Sequence, residues 1–250
     1  MSRRSLDLTE VARFIQEHIG PEFHDKKLAK LKVLTLESIL RRKNPYLFKA
    51  KRTQTANDFI KAVLDATVSS GEETVFGNFL EKVAIHVCQQ IFGGRKSGIK
   101  GLDLEFEDGR DKYLVSIKSG PNWGNDQQIK AMIRNFHEAR KTLHTSGGGK
   151  NLNIRFVEGC CYGRDNSYEK GTHQKLCGQR FWELISGGSE TLYTDIIAPI
   201  GHKAKERNEE LEEIYTAKLN DFTAQFVTRF CQNGLIDWIS LVDYNSGKQQ

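Results

Sequence analysis

The stretch GLDLEFEDGRDKYLVSIKSGPNWG, residues 101–124, decides the fold of this chain. Apolar and acidic residues alternate strictly over residues 102–107, which is typical of a half-buried strand. Asp108-Gly109 is a strong signal for a hairpin turn, so residues 113–118 are predicted to form the returning strand. The next eight residues, SGPNWGND, are too rich in turn formers for regular structure. The stretch therefore predicts a hairpin that runs into a polar loop.

Helices are predicted on both sides of this hairpin. One of them is expected to end before Asn44-Pro45, because a residue that precedes proline is pushed out of the helical region. Ser70-Gly71 is expected to break another, and Gly93-Gly94 to close the helix after that break. The predicted helices span residues 6–19, 25–43, 55 or 57 to about 68, 72–92, 127–144, 178–187 and 203–232, with a third strand over 153–161. The predicted class is α/β, with a helical N-terminal part.

Composition excludes several classes of protein. The chain has 250 residues, of which 38% are hydrophobic, and its 14 Phe, 7 Tyr and 3 Trp exclude disorder as the dominant state. There is no apolar run long enough to span a membrane, and the start MSRRSLDLTEV lacks the apolar segment of a secretory signal. Five cysteines without framework spacing predict reduced thiols. We therefore expect a cytoplasmic protein.

The positive charge is concentrated near the N-terminus. The net charge is +5, and residues 1–55 alone carry 13 basic and 6 acidic side chains. The rest of the chain is close to neutral. A basic region on a neutral body suggests a polyanion as partner, although solvated helix faces produce similar counts.

An acid and a lysine on the two hairpin strands form the candidate catalytic pair. If the hairpin closes at Asp108-Gly109, Asp103 and Lys118 lie near each other across the two strands. A carboxylate can hold a divalent cation, which polarises a phosphoryl oxygen and lowers the pKa of a bound water. A lysine can orient that water or offset the charge that develops on phosphorus. The pair therefore suits phosphodiester hydrolysis.

A hard cation needs more oxygen ligands than Asp103 alone supplies. Glu81, on the helix that precedes the hairpin, is the first candidate, and Glu105 is the reserve. The Ser116 hydroxyl could hold a water, and the Ile117 carbonyl could bind the metal. The ordinary alternative is that the spacing arises by chance and that the alternating acids only wet one face of the sheet.

These residues resemble a known family of enzymes. Asp103 followed by Ser116-Ile117-Lys118, after a helix that carries FGNFLE, looks like the active-site core of the PD-(D/E)xK nucleases. More narrowly, the chain is similar to a subgroup of type II restriction endonucleases. The segments that carry the resemblance are NPYLFKAK (44–51), VFGNFLEKVA (75–84), GLDLEF (101–106), YLVSIKSGPNWG (113–124), VEGCCYGR (157–164) and CGQRFWELISGG (177–188).

The resemblance implies a mixed central sheet flanked by helices, dependence on Mg²⁺, a homodimer, and cleavage of both strands of a short site in double-stranded DNA. By position, Asp103 would be the metal-binding carboxylate, Lys118 the catalytic lysine and Glu81 the helix acid that completes the site. The sequence departs from the superfamily at Ser116, where Glu or Asp is most common. Similar serines occur in this subgroup, but the departure leaves the second metal ligand open.

The resemblance also implies a division of the chain and a partner. Residues 1–70 would form a helical region for dimerisation or DNA contact, residues 71–200 the nuclease core, and residues 201–250 a helical C-terminal region packed on that core. The products would carry 5′-phosphate and 3′-hydroxyl ends. A cognate DNA methyltransferase is expected as a separate protein.

Candidate DNA contacts lie around the two strands. Arg95 and Lys96 precede the hairpin, where they would clamp phosphate or form only a solvated turn. Amides in the loop after Lys118 can read adenine, and Trp123 can wedge between bases or pack over the following helix. The residues predicted to contact DNA are Arg95, Lys96, Asn122, Trp123, Asn125, Gln127, Arg134 and Arg164.

Two other functions stay open at this point. A repair or recombination nuclease with the same core would cut branched or damaged DNA without discrete fragments. A non-catalytic DNA-binding protein would have the same fold without activity. This alternative stays open because Ser116 stands where the superfamily most often has Glu or Asp. The charged helix over residues 203–220 would be a dimer arm, a lid on DNA or a solvated helix.

Overall fold

A computed structural model describes residues 5–145 and 152–247. The chain divides into two compact units. The sheet unit comprises Met1–Ile19 and Phe76–His202, and the helical unit comprises Gly20–Val75 and Lys203–Gln250. The SGGG sequence at 146–149, which the composition suggests as a linker, lies outside the described residues.

Helices account for most of the regular structure. A π-helical turn, Gly20–His24, separates the first two of them. The α-helices are α1 (Leu8–Ile19), α2 (Asp25–Lys32), α3 (Leu36–Leu40), α4 (Pro45–Ala50), α5 (Ala56–Phe92), α6 (Asp126–Thr145), α7 (Gln179–Ile185), α8 (Leu192–Asp195), α9 (Ile197–Ile200), α10 (Ala204–Phe230) and α11 (Trp238–Asn245). The strands are β1 (Arg95–Lys96), β2 (Leu104–Asp108), β3 (Asp111–Lys118), β4 (Asn153–Cys160), β5 (Gln174–Cys177), β6 (Cys231–Gln232) and β7 (Leu235–Ile236).

The sheet unit is built on a five-stranded mixed sheet in the order β1-β2-β3-β4-β5. The first three strands are antiparallel neighbours, whereas β3, β4 and β5 run parallel. The predicted hairpin is confirmed: Asp108 pairs with Asp111, and Gly109 adopts the left-handed φ of +62° that this two-residue turn requires. The parallel step from β3 to β4 needs a crossover, which α6 supplies.

The crossover helix α6 packs on one face of this sheet. Its apolar residues recur every three or four positions, so they form a single stripe along the helix. On the sheet, Leu114 of β3 and Phe156 of β4 are register partners and therefore share a face. The buried residues of this layer are Leu102, Leu114, Met132, Phe136, Ala139, Leu143 and Phe156.

The helical unit has its own core. Phe222, Phe226 and Phe230 follow one another at intervals of four along α10, and all three are buried. The Phe226 ring stacks on Phe59 of α5 with centroids 4.9 Å apart. Within residues 5–145 and 152–247, no helix is both long enough and apolar enough to cross a membrane.

Three details of the helices differ from the sequence predictions. The break predicted at Ser70-Gly71 is wrong, since α5 runs continuously through it; one glycine costs a helix only about 1 kcal/mol relative to alanine. The helix predicted over 25–43 stops at Lys32, and Thr35 starts α3 with a capping box. Asn44-Pro45 does more than end a helix, because Asn44 caps α4 and Pro45 occupies its first turn. Apart from these three details, the short elements α4, α8, α9, α11, β1, β5, β6 and β7 were not predicted.

Replacing Gly71 by alanine is expected to raise the free energy of unfolding by about 0.5–1 kcal/mol. An added Cβ meets only Lys30 Cδ, at 3.9 Å, so the methyl group restricts the unfolded chain without a clash. Urea unfolding followed by circular dichroism measures the change. The control is Gly178→Ala, in which the added methyl group should instead lower the free energy of unfolding. At Gly178 φ is +56°, and the Gly163 carbonyl oxygen would lie 2.7 Å from the added Cβ. A destabilised Gly71→Ala variant would contradict a continuous α5.

Candidate active site

Asp103 and Lys118 meet where β2 begins and β3 ends. The hairpin register carries Asp103 to a position beside Ser116. The Asp103 N–H donates to the Val115 carbonyl at 2.8 Å, which extends the ladder by one residue. Asp103 Oδ2 accepts a hydrogen bond of 2.7 Å from the Ile117 N–H, and Lys118 Nζ lies 3.9 Å from the same oxygen. The structure thus brings together the acid and the lysine that the spacing singled out.

The contacts of Asp103 leave one side of its carboxylate for a ligand. The buried Ser116 hydroxyl also donates to Oδ2, at 3.4 Å, so every hydrogen bond that the described residues make to this carboxylate ends on Oδ2. The N–H and C=O of one strand residue point to the same side. Since the Ile117 N–H points at Asp103, the Ile117 carbonyl also faces this side, beyond the end of β2.

These donors fit a hard divalent cation with a large share of water. Mg²⁺ is commonly held by one or two carboxylates and keeps several waters. Asp103 Oδ1 and the Ile117 carbonyl are oxygen donors at one edge of the sheet, and the Asp103 side chain is 25% exposed. Among residues 5–145 and 152–247, no three His, Cys, Asp or Glu side chains cluster as a ready-made metal site. The protein therefore offers an incomplete oxygen shell rather than a closed one.

Glu81 lies on α5, on the side that faces the end of β3. Gly77, one turn earlier, has no room for a Cβ, which would sit 2.2 Å from Ser119 Oγ. Burial raises the pKa of Cys161 to about 12, and the Glu81 charge adds a smaller effect in the same direction. The Cys161 N–H donates a hydrogen bond to the Lys118 carbonyl. The Glu81 carboxylate pairs with Lys96 Nζ at 3.4 Å, and Lys96 is the register partner of Leu104, the residue after Asp103. Glu81 therefore lies near the candidate site.

Arg95 and Lys96, the two residues predicted to contact phosphate, each form an ion pair with an acidic side chain. The Arg95 guanidinium contacts Glu105 Oε1 at 2.6 and 2.7 Å, and Lys96 pairs with Glu81. Both basic side chains are about three-quarters exposed, at 76% and 72%. They are thus accessible, but a phosphate would have to share them with those carboxylates. Glu105, the reserve candidate for the metal ligand, is paired with Arg95 and also accepts a long hydrogen bond of 3.4 Å from the Ser97 hydroxyl.

Several side chains of the loop after Lys118 bond to the protein itself. Asn125 and Gln128 bond reciprocally to each other's backbone N–H, at 3.1 and 2.9 Å, and so cap the start of α6. Trp123 is half-buried against the core layer under α6, whereas Asn122 and Gln127 are exposed.

The remaining predicted DNA contacts are solvent-exposed. Arg134 lies on α6 and Arg164 follows β4. Neither has a described contact with Asp103 or Lys118. Arg140, further along α6, stacks over the Phe156 ring with its guanidinium carbon 5.1 Å from the centroid.

A buried polar cluster beside the site was missed from the sequence. Glu158 on β4 has a side chain that is only 4% exposed. Its Oε1 accepts hydrogen bonds from Trp123 Nε1 at 2.8 Å and from Lys175 Nζ at 2.9 Å, and His173 Nε2 lies 3.3 Å from its Oε2. The available signal was a single acid inside the otherwise apolar run FVEGCC, since a buried charge requires partners. Lys175, its main partner, sits on the unpredicted strand β5.

Glu158 is ionised in this cluster. Burial alone would raise the pKa of its carboxyl, but hydrogen bonds from His173, Lys175 and Trp123 outweigh burial and lower the pKa to about 2. Burial would lower the pKa of Lys175, but the hydrogen bond and the charge of Glu158 together outweigh burial and raise that pKa. The cluster therefore holds a charge pair whose members stabilise each other.

A five-stranded mixed sheet flanked by helices is consistent with a restriction-endonuclease-like core. A family model described as Type II restriction endonuclease EcoO109I matches residues 9–208 of the chain. The match covers most of the sequence, so the protein belongs to this family of type II restriction endonucleases, and the sequence-based resemblance is confirmed. Such enzymes are site-specific deoxyribonucleases, with DNA as substrate. No curated protein matches the chain.

Glu158→Gln is expected to lower the free energy of unfolding by about 3 kcal/mol at pH 7. The folded pKa of about 2 lies below the ordinary 4.5, so the stabilisation is fully present above pH 4.5 and is lost as pH falls towards 2. The difference between parent and variant should therefore shrink below pH 4.5. Urea unfolding at several pH values measures it.

Glu107→Gln is the matched control for this measurement, since Glu107 is an acid on the same sheet with a lysine partner but is 54% exposed. It should change stability little at any pH. A Glu158→Gln difference that stays constant from pH 7 to pH 3 would contradict an ionised, paired Glu158.

Proposed function

We propose that the protein is a Mg²⁺-dependent, homodimeric type II restriction endonuclease that cuts both strands of duplex DNA at a short specific sequence. The observation that carries the proposal is the contact of Lys118 Nζ with Asp103 Oδ2, at 3.9 Å, where a hydrogen bond from the Ile117 N–H fixes the same carboxylate. Membership of the restriction endonuclease family supports it independently.

Each member of the site has a proposed role. Asp103, the Ile117 carbonyl and Glu81 would hold the cation. When bound, it polarises a phosphoryl oxygen and lowers the pKa of a coordinated water. Lys118 orients the attacking water and offsets the negative charge that grows on the phosphate oxygens. Ser116 holds Asp103 through its hydroxyl and adds no charge of its own.

The proposed reaction is an in-line displacement at phosphorus. The water oxygen bonds to phosphorus while the bond to the 3′ oxygen breaks. The attacking water loses a proton to solvent, and the leaving 3′ oxygen takes one up. The products are 5′-phosphate and 3′-hydroxyl ends. Two such sites, related by a twofold axis, would cut the two strands together. A cognate methyltransferase, encoded separately, would protect host DNA in the same cytoplasm.

DNA contacts are proposed for exposed side chains on β1, on α6 and in the loops after β3 and β4. Arg95, Lys96, Arg134 and Arg164 are exposed cations that suit phosphate contacts. Asn122 and Gln127 are exposed amides that suit base edges in the major groove. Asn125 has a competing role as the cap of α6.

Lys118→Ala is expected to abolish cleavage, because no other described cation contacts Asp103. Plasmid and phage DNA are incubated with the purified protein and Mg²⁺ or EDTA. Discrete Mg²⁺-dependent fragments are expected from the parent, and mapping their ends gives the recognition site. Lys112→Ala is the matched control, a lysine at the other end of β3 that pairs with Glu107. It should cut as the parent does.

The same experiment separates the alternative functions. Cleavage of branched DNA without discrete plasmid fragments would indicate a repair nuclease. Salt-dependent DNA binding without turnover would indicate a non-catalytic DNA-binding protein. A Lys118→Ala variant that cuts as fast as the parent would refute the proposed site.

Glu81→Gln is expected to raise, by at least several-fold, the Mg²⁺ concentration that gives half-maximal cleavage, since it removes one negative ligand from the cation. The rate is measured over a Mg²⁺ titration. Glu107→Gln serves as the control, because it removes an exposed acid from the same hairpin. An unchanged titration midpoint for Glu81→Gln would exclude Glu81 as a metal ligand.

A further inference from the structure

A chain of contacts links the buried Glu158 to the candidate catalytic lysine. Lys118 Nζ lies over the ring of Trp123, 4.7 Å from the centroid. The indole Nε1–H of Trp123 donates to Glu158 Oε1 at 2.8 Å. Lys118 is therefore held between two groups, the Asp103 carboxylate and the face of the Trp123 ring.

The sheet register explains why Glu158 reaches this position. Ser116 of β3 pairs with Glu158 of β4, and register partners on parallel strands point to the same face. Lys118 is two residues beyond Ser116 and shares that face too. Lys175 of β5 pairs with Glu158 in turn, so three neighbouring strands contribute to one surface.

Glu158 does not serve as the metal ligand that Ser116 fails to provide. Both of its oxygens already have partners among Trp123, Lys175 and His173. Its side chain is 4% exposed, against 25% for Asp103. A carboxylate in that state is poorly placed to bind a cation or accept a proton from water, but it can orient what it bonds to.

The loop between Lys118 and Trp123 is held from the same cluster. Lys175 Nζ, besides its pair with Glu158, donates to the Pro121 carbonyl at 2.8 Å. At Gly120 an added Cβ would lie 2.4 Å from the Tyr162 ring, so that ring lies directly against the loop. The indole is thus fixed at its N–H by Glu158, and the loop before it is tied to Lys175 through the Pro121 carbonyl.

We propose that Glu158 is a positioning residue for catalysis: it holds Trp123, whose ring face in turn fixes Lys118 beside Asp103. The inference rests on the proposed catalytic role of Lys118. Because the ring packs on the core and contacts Lys118, and its N–H is occupied, the same contacts disfavour a role for Trp123 as a wedge in DNA. A small displacement of a catalytic group costs large factors in rate, so the loss should appear in turnover rather than in DNA binding.

The test uses single-turnover cleavage of a duplex that carries the mapped site, and its dissociation constant in EDTA. Trp123→Phe keeps the ring but loses the N–H, and Glu158→Leu removes the acceptor. Each should lower the cleavage rate about tenfold, with the dissociation constant within about twofold of the parent. The double variant should be no slower than the slower single variant, because both substitutions break one hydrogen bond.

Glu158→Gln keeps an acceptor oxygen for the indole, so it should retain most of the parental rate although it loses stability. A role in stability alone would not give this separation. All rates are measured well below each variant's unfolding midpoint, determined by circular dichroism. Trp123→Phe leaves the Glu158–Lys175 pair intact and so provides a test if Glu158→Leu does not fold.

Rate losses that multiply in the double variant would overturn the inference, as would a Trp123→Phe variant that binds DNA weakly but cuts at the parental rate. Lys118→Ala, assayed alongside, separates the two levels of the proposal. If Lys118→Ala is inactive while Trp123→Phe and Glu158→Leu cut normally, only the positioning role fails. If Lys118→Ala is active, the proposed function fails with it.

Discussion

The hydrogen bond from the Ile117 N–H to Asp103 Oδ2 is the constraint on which the site depends. At this point β2 has not yet begun, and β3 would have an unpaired N–H group if the Asp103 side chain did not take the place of the missing strand. The bond therefore completes the hydrogen bonding of the sheet and orients the Asp103 carboxylate. It fixes one carboxylate oxygen against the backbone and leaves the other without a hydrogen bond from the described residues, at the end of β3 where Lys118 lies.

How much of the fold and of the candidate site could be predicted from the sequence depends on how far apart the contacting residues are along the chain. The meeting of Asp103 with Lys118 was predictable because a two-residue turn at Gly109 sets the register of every pair behind it. The contact of Glu158 with Lys175 depends on parallel pairing across α6 and across the loop before β5, and no local pattern sets that register. For the same reason β5, with only four residues and no alternation, gave no usable strand signal.

The other differences between the sequence predictions and the structure arise because a residue type can serve more than one role. Asn125 and Gln128 have amides that suit base recognition, but the start of α6 needs acceptors for its free N–H groups, and both side chains meet that need. Gly71 is a helix breaker by composition, yet α5 continues because the cost of one glycine is small. Residue type limits what a position can do, and the neighbours brought by the fold choose among those uses.

The serine at position 116 lies among acidic side chains that already have basic partners. Glu81, Asp103, Glu105 and Glu158 each contact a lysine or arginine, so the acids around the site are balanced before any cation or DNA arrives. A carboxylate at 116 would lie next to Asp103 Oδ2, where the serine hydroxyl now donates, and would place a second negative charge beside it without a described basic partner. The serine adds no charge beside the pair of Asp103 and Lys118. Under the proposed function, the site would therefore give a cation few protein oxygens, and water and the DNA phosphate would complete its shell.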